Sequence, residues 1–332
     1  MAAAFAVICA HVAIRVVEDV PDINSTAWWA GNLWGAASRW GVDVFIMASG
    51  ALLLDPNKEE PLGAFYRRRA ARVLIPLVFW SAFYLGLRAI FGSGLTWEAL
   101  LNALLTGKPH YHLWYLYMIP GLYFYAPFLR RYVGATPPRE RRIAVASLLA
   151  LAALYTFFRY FYRVSVGETA FTLFVPYVGL FLAGYEWRAA GPPGISARAL
   201  WGVILLCWAA IALGSYPLVA RYGPYQGLYL YDRLSPFNIA IAMSVFVLFY
   251  RADVPAQAPA WVQRAIAQIC PATFGIYLIH PLWLTPLERM NLITRPLHPA
   301  IGVPLIVLVA YSLSYLLAQM ILRIPGLRRT VG

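Results

Sequence analysis

The stretch FAVICAHVAIRVV, residues 5–17, places one histidine in the middle of an apolar run that begins almost at the first residue. Such a run is typical of a helix that is buried on all sides. Over the whole chain of 332 residues, 61% are hydrophobic and 12% are charged, and the mean hydropathy is +0.63. These values lie outside the range of soluble globular domains. The sequence therefore predicts an all-α, polytopic membrane protein.

About ten apolar runs approach the roughly 20 residues that a helix needs to cross a bilayer. Polar turns such as EDVPDINST, LDPNKEEPLG and ATPPRERR separate them. Neither a soluble domain nor a linker is visible, so we expect one integral-membrane domain over residues 1–332. The predicted spans are 1–17, 34–54, 70–91, 112–132, 142–162, 169–187, 200–219, 235–250, 268–288 and 301–322.

Lysine and arginine are distributed unequally between alternate loops. The richer set includes the run FYRRRAAR before the third span and RERR before the fifth. Because cytoplasmic loops carry the excess of basic residues, this asymmetry places both termini in the cytoplasm. An even number of spans agrees with that orientation.

The net charge of +13 does not indicate a nucleic-acid partner, because the basic residues cluster at the ends of apolar runs. The three cysteines, Cys9, Cys207 and Cys270, are too scattered for a metal site or a disulfide framework. We therefore expect a lipid bilayer around the chain and no nucleic acid, bound metal or cofactor.

His11 lies about 15 Å along its helix from the cytoplasmic end, near the middle of the membrane. An ionisable group there is expensive unless it faces a polar interior, which favours a functional role. A neutral imidazole hydrogen-bonded between packed helices is the alternative, and position alone does not separate the two. Polar residues recur in other spans: Asp43 and Ser49 in WGVDVFIMASG, and Tyr277 and His280 in FGIYLIHPLW.

Five segments, in order and spacing, carry a family resemblance: VICAHV, GVDVFIMASGALL, FYRRRAARVLIP, HLWYLYMIPGLYFYAP and FGIYLIHPLWL. The series resembles the acyltransferase 3 family of membrane acyltransferases. Within it, the likeness is to bacterial enzymes that O-acetylate surface polysaccharides and their lipid-linked precursors. The resemblance implies a multi-pass protein of the bacterial inner membrane, with acetyl-CoA or another acyl-CoA as donor. It implies a surface polysaccharide or lipid-linked oligosaccharide as acceptor, and a homo-oligomer is compatible with it.

The resemblance also assigns residues. The histidine of the family's first helix matches His11, and its paired arginines match Arg69 and Arg72. The aspartate of its second-helix motif matches Asp43, and its late Tyr-x-x-His-Pro motif matches residues 277–281. The family's arginine that precedes the first histidine by ten intervening residues would fall just before Met1.

Acyl transfer from a thioester to a hydroxyl needs a base for the hydroxyl proton, and a neutral imidazole suits this role. His11 is the candidate, either as this base or as a covalent N-acyl carrier. Asp43 either orients that imidazole by accepting its other N–H or makes a structural bond between helices. Ser49 is expected to be a packing residue. His280, beside the helix-interrupting Pro281, is expected to be a second site residue that orients the acceptor.

The run RRRAAR, with Arg68, Arg69 and Arg72, is expected to grip the phosphates of the donor, because guanidinium groups match phosphate oxygens. The positive-inside signal alone is the alternative. Side chains at the outer end of the fourth span and in the ninth are candidates for acceptor binding, although an aromatic belt explains the fourth-span residues equally well. His110 and His298 fall in loops and are expected to be solvated. The acceptor candidates are His112, Trp114, Tyr115 and Tyr277.

A polytopic transporter or flippase with a buried His/Asp pathway is the alternative function. The ordered motifs favour the enzyme. No paired Gly/Pro-broken helices in matching halves are visible, and inverted-repeat transporters tend to have them.

Overall fold

Helices make up nearly all of the regular structure. A computed structural model describes residues 1–58, 60–92, 94–164, 169–189, 194–252, 258–293 and 297–332, and these residues contain no β-strand. The prediction of an all-α fold is confirmed. The α-helices are α1 Ala2–Asp19, α2 Thr26–Ser38, α3 Gly41–Leu53, α4 Leu62–Phe91, α5 Trp97–Leu105, α6 Trp114–Ala135, α7 Pro138–Phe161, α8 Val178–Ala189, α9 Ala197–Gly227, α10 Pro236–Arg251, α11 Ala260–Ile269, α12 Thr273–Ile279, α13 Pro281–Arg289 and α14 Pro299–Arg323.

Five helical segments of the described chain are long and apolar enough to cross a membrane. Their outward faces carry large exposed apolar side chains, such as Val78 on α4, Leu206 on α9 and Ile301 on α14. Contact of such a surface with lipid tails is favourable, whereas its contact with water is costly. The count of about ten spans and the cytoplasmic termini stay predictions. The five segments are Leu62–Phe91, Pro138–Phe161, Ala197–Arg251, Ala260–Arg289 and Pro299–Arg323.

The predicted span 34–54 is divided in the structure. Helix α2 ends at Ser38 and α3 begins at Gly41, with a turn at Arg39 and Trp40. The Ser38 hydroxyl donates back to the carbonyl of Trp34 at 2.8 Å, and the Trp40 indole donates to the carbonyl of Ala37 at 2.8 Å. Side chains that bond to helix carbonyls in this way offer the backbone an alternative to continuing the helix. The break places Arg39 between the two helices, beside the ring of Tyr231.

Small residues set the close contacts around the centre of the bundle. A side chain at Gly50 of α3 would strike the backbone of Phe181 on α8, and one at Gly184 would strike the backbone of Met47. Close backbone approach through small residues is the usual way that helices associate in lipid. Helix α1 is central, since it packs against α2, α3, α12 and α14. This position surrounds His11 with side chains from several elements.

Candidate active site

Four histidines from three parts of the chain gather at one place. The rings of His11 and His280 stack with centroids 5.4 Å apart, and His112 meets His280 edge to face at 5.3 Å. The Nδ1 atoms of His110 and His112 are 2.9 Å apart, so one of them donates a proton to the other. The structure therefore joins His11 and His280, the two predicted catalytic histidines. His110, which the sequence analysis assigned to a solvated loop, belongs to the same cluster, and that expectation was wrong.

The motif Tyr277-x-x-His280-Pro281 explains how His280 is held. Pro281 has no N–H, so the carbonyl of Tyr277, four residues earlier, loses its helical partner. His280 Nδ1 lies 2.6 Å from that carbonyl oxygen. A carbonyl can only accept, so Nδ1 carries the proton and Nε2 keeps its lone pair. The Nε2 atom is buried and has no hydrogen-bond partner among the described residues.

Tyrosines fix the rest of the cluster. The Tyr277 hydroxyl donates to the backbone carbonyl of His112, and the Tyr84 hydroxyl donates to the carbonyl of Leu278 at 2.7 Å. The Tyr111 ring meets the His11 ring edge to face, with centroids 4.8 Å apart. These contacts tie α4, the loop before α6, and α12 into one unit. The imidazoles are therefore held in place before any substrate enters.

The four rings of the cluster differ in exposure. His112 and His280 have no exposed surface, whereas His11 and His110 are partly exposed. One turn further along α1, Arg15 forms an ion pair with Glu288 of α13 at 3.1 Å and lies over the Tyr111 ring. This pair connects α1 to α13 beside the cluster. Of the stacked rings of His11 and His280, His11 is thus the one with exposed surface.

Asp43 is not the partner of His11. Its side chain is fully buried, and neither carboxylate oxygen has a hydrogen-bond partner among the described residues. Its closest electrostatic partner is Arg233, whose guanidinium stacks over the Trp114 ring at 4.2 Å. Asp43 therefore interacts with a buried arginine and does not hold the imidazole as in a catalytic triad. The sequence offered no signal for this pairing, because Arg233 lies 190 positions away in a turn before α10.

The arginine run lies on the first turns of α4, which begins eight residues before the predicted span. Arg69 lies over the Phe65 ring, and its Nε is buried without a hydrogen-bond partner in the described chain. The guanidinium of Arg130 also lies 5.4 Å from the centroid of the Phe65 ring, and it donates to the carbonyl of Leu53. Arg72 is exposed. The run thus forms part of a basic surface at the C-terminal end of α3.

Arg68 has a different environment from its neighbours. Its guanidinium forms an ion pair with Glu60, which also accepts from Arg68 Nε at 2.9 Å. A guanidinium that is already paired has less to offer a phosphate. The three predicted donor-binding arginines are therefore not equivalent.

Hydroxyl groups connect the arginine end to the histidine end. Tyr123 lies within electrostatic reach of Arg69 and Arg72, and its hydroxyl is 3.3 Å from Ser49 Oγ. Ser49 also interacts with Tyr115, whose ring packs against Tyr277 at 5.5 Å. We call Tyr123, Ser49, Tyr115 and Tyr277 the hydroxyl column. Most of the column follows α6, on which Tyr115 and Tyr123 are eight residues, or about 12 Å, apart.

The predicted acceptor residues lie inside the protein. The exposed fractions are 0% for His112, 9% for Trp114, 9% for Tyr115 and 4% for Tyr277. A membrane-interface aromatic belt would be exposed, so that alternative does not describe these residues. They line the histidine cluster and the hydroxyl column. Across the described ranges, no three His, Cys, Asp or Glu side chains converge as a metal-binding group.

The fold and this site define a helical membrane protein with a preorganised imidazole cluster and a basic surface linked by hydroxyl groups. A family profile described as an acyltransferase domain matches residues 1–319 of the 332. The chain therefore belongs to the acyltransferase 3 family, as the resemblance implied. It is a multi-pass membrane acyltransferase, and the transporter alternative loses its support. Comparisons with curated proteins and with solved structures found no match.

Proposed function

We propose that the protein is a membrane O-acyltransferase of the bacterial inner membrane, and that it moves an acetyl group from cytoplasmic acetyl-CoA to a hydroxyl of a cell-surface or lipid-linked glycan. The observation that carries the proposal is the partly exposed His11 stacked on His280, with the hydroxyl column leading away toward Arg69. A protein that uses an acyl-CoA needs positively charged groups that bind the phosphates of the donor and a base near its thioester. The chain offers both, at the two ends of the hydroxyl column.

His11 serves in one of two ways. As a base, it removes the proton of the glycan hydroxyl while the oxygen attacks the thioester carbonyl, and the carbon–sulfur bond breaks to release CoA. As a carrier, its ring nitrogen attacks the thioester first, and the glycan hydroxyl then displaces the imidazole from the acetyl carbon. In the carrier route His11 holds the acetyl group, and the unpartnered Nε2 of His280 accepts the proton of the attacking hydroxyl.

The donor would lie with its phosphates on Arg69, Arg72 and the neighbouring Arg130. Guanidinium groups bind phosphate oxygens through paired N–H donors. The buried and unpartnered Nε of Arg69 supports this role, because a buried donor without an acceptor is costly. The orientation rule for basic loops places this end in the cytoplasm, together with both termini.

Transfer of radiolabel tests the proposal. Purified protein in lipid is incubated with labelled acetyl-CoA and lipid-linked or polymeric glycans, and the labelled glycan is measured. We expect transfer by the wild type and a decrease of about 10²- to 10⁴-fold in His11→Ala, the usual contribution of a general base. His298→Ala is the matched control, because His298 lies at the N-terminus of α14, away from the cluster. Undiminished transfer by His11→Ala would refute the assignment of His11.

Rapid quenching distinguishes the base from the carrier. With acetyl-CoA and no glycan, a carrier accumulates an acetyl group on the peptide that contains His11, and mass spectrometry detects it. A base leaves that peptide unmodified while transfer to added glycan still occurs. His280→Gln serves as a control, since it keeps His11 available for acetylation.

A further inference from the structure

Two arginines beside the histidine cluster have no role in the reaction described above. Arg39 lies in the break between α2 and α3, and Arg233 lies in the turn before α10. The charges of both act on the His11 ring and on each other. They belong to different elements from Arg69 and Arg72 and lie at the opposite end of the hydroxyl column. They therefore form a second basic region, which we call the Arg39–Arg233 pair.

Aromatic rings hold both guanidinium groups. Arg39 lies over the Tyr231 ring at 5.1 Å, and Arg233 lies over the Trp114 ring at 4.2 Å. The Tyr231 hydroxyl in turn donates to Asn32, which fixes the ring under Arg39. Stacking fixes the plane of a guanidinium and leaves its edge free to donate. The pair is thus preorganised for an acceptor in the plane of the N–H groups.

Several of these N–H groups lack an acceptor. Arg39 Nε, Arg39 Nη2 and Arg233 Nε are buried and make no hydrogen bond within the described residues. An unsatisfied buried donor on a cation is expensive, more so than a neutral one. Proteins keep such groups where a ligand completes them. The free donors of Arg39 and Arg233 therefore indicate an oxygen-rich ligand.

The nearby carboxylates form no ion pair with Arg39 or Arg233 among the described residues. Asp43 and Asp232 both act on Arg233 through their charge. Asp232 accepts from the backbone N–H of Leu234 at 2.9 Å and from the Tyr160 hydroxyl at 3.3 Å, and these neutral donors hold it in its turn. Glu18, which acts on Arg39, is paired with Arg15. The unpartnered N–H groups of the pair therefore stay available to an anionic ligand.

Aromatic side chains next to the pair provide surfaces for sugar rings. Tyr160, which also interacts with both arginines, stacks with Tyr225 at 5.1 Å and meets Tyr229 at 5.8 Å. Tyr225 is half exposed, so this aromatic group reaches the surface. A glycan lying on these rings would bring its substituents toward Arg39 and Arg233.

We propose that Arg39 and Arg233 bind an anionic group, a carboxylate or a phosphate, that is carried by the glycan whose hydroxyl His11 activates. This inference rests on the proposed function and names the class of its acceptor, an acidic glycan. A carboxylate would come from an acidic sugar and a phosphate from a sugar phosphate or a lipid-linked sugar. Both present two oxygens to the fork of a guanidinium.

Direct binding tests the inference without acetyl transfer. Purified wild-type protein in lipid is titrated with methyl glucuronide, glucose 1-phosphate and methyl glucoside, in the absence of acetyl-CoA. We expect the two anionic probes to bind at least about tenfold more tightly than the neutral one, with affinity that falls as salt is added. Preference for the glucuronide identifies a carboxylate ligand, and preference for the phosphate ester identifies a phosphate ligand. Equal binding of all three probes would overturn the inference.

Variants locate the binding. Arg39→Gln and Arg233→Gln should each weaken the anionic probe by about tenfold and leave the neutral probe unchanged. Arg39→Lys keeps the charge but not the fork, and should restore part of the affinity. Arg142→Gln, at an exposed position on α7, is the matched control. Anionic binding that survives both glutamine variants would show that another site binds the probe.

The labelled transfer assay separates this inference from the proposed function. Transfer to acidic and neutral glycans at equal rates, unaffected by Arg39→Gln, would keep the acyltransferase assignment and remove the acidic acceptor. Selective binding of anionic probes without any transfer would keep the Arg39–Arg233 site and remove the reaction.

Discussion

The two ends of the hydroxyl column differ in the charge and burial of their nitrogen-containing side chains. At the histidine end, neutral rings are buried and held by tyrosine hydroxyls and by the carbonyl of Tyr277. At the arginine end, charged side chains lie near the surface, and one of them, Arg68, is already paired with Glu60. The contrast shows that a proton acceptor is best fixed in a buried position. A phosphate-binding group instead needs a permanent charge that a large donor can reach.

The donor end should respond most strongly to loss of charge. A double variant Arg69→Gln/Arg72→Gln removes two phosphate contacts, and we expect KM for acetyl-CoA to rise about 100-fold with kcat nearly unchanged. Arg67→Gln, an exposed neighbour, is the control. Arg68→Gln should raise KM less than Arg69→Gln, because Glu60 already occupies its guanidinium. A change confined to kcat would show that these arginines do not bind the donor.

The histidine end should respond in kcat. His280→Gln removes the ring that stacks on His11 and the lone pair of Nε2, and we expect kcat to fall by about 10- to 100-fold. KM for acetyl-CoA should stay within about twofold of the wild-type value. If KM for the donor rises instead, the two ends are not separate in function.

Substitution of Asp43 tests whether its carboxylate acts on Arg233 or on His11. Asp43→Asn removes the carboxylate beside Arg233, and we expect a decrease of only a few-fold in kcat, much smaller than that of His11→Ala. A double-mutant cycle with Arg233→Gln should show coupling of about 1 kcal/mol, since the charges of the two buried side chains act on each other. Coupling of Asp43 with His11 and none with Arg233 would restore the predicted triad.

His110 should give the smallest effect, on stability. Burial lowers the pKa of this loop histidine to about 4, and the charge of Arg15 acts in the same direction. The folded protein keeps His110 neutral, whereas the unfolded chain takes up a proton below the usual pKa of 6.5. The free energy of unfolding therefore decreases as the pH falls from 6.5 toward 4. We expect His110→Asn to reduce the decrease in Tm over this range by about 2 °C. An identical pH dependence of Tm in both proteins would exclude this contribution.

Some of the site follows from local sequence. Tyr277-x-x-His280-Pro281 sets the tautomer of His280, because the proline frees a carbonyl that the histidine can reach from the same turn. Apolar runs with polar turns between them predicted the helices, and the spacing of Arg69 and Arg72 placed both on one helix. These features depend on residues within one or two helical turns.

Other features depend on distant parts of the chain. No local sequence pattern predicts three of these features. They are the division of span 34–54 at Arg39, the electrostatic interaction of Asp43 with Arg233 and the position of His110 in the cluster. In an apolar chain nearly every helix face is hydrophobic, so periodicity does not tell which face meets which neighbour.

The sequence alone determined that this is an all-helical membrane protein of the acyltransferase 3 family, with His11 and His280 as the candidate chemical centre by residue type and motif. Only the tertiary structure decided which charges share a space, because ionic partners in a bundle come from helices far apart in sequence. The charge of Asp43 acts on Arg233, and Arg68 is paired with Glu60. The unpartnered N–H groups of Arg39 and Arg233 beside His11 are visible only after the helices are assembled.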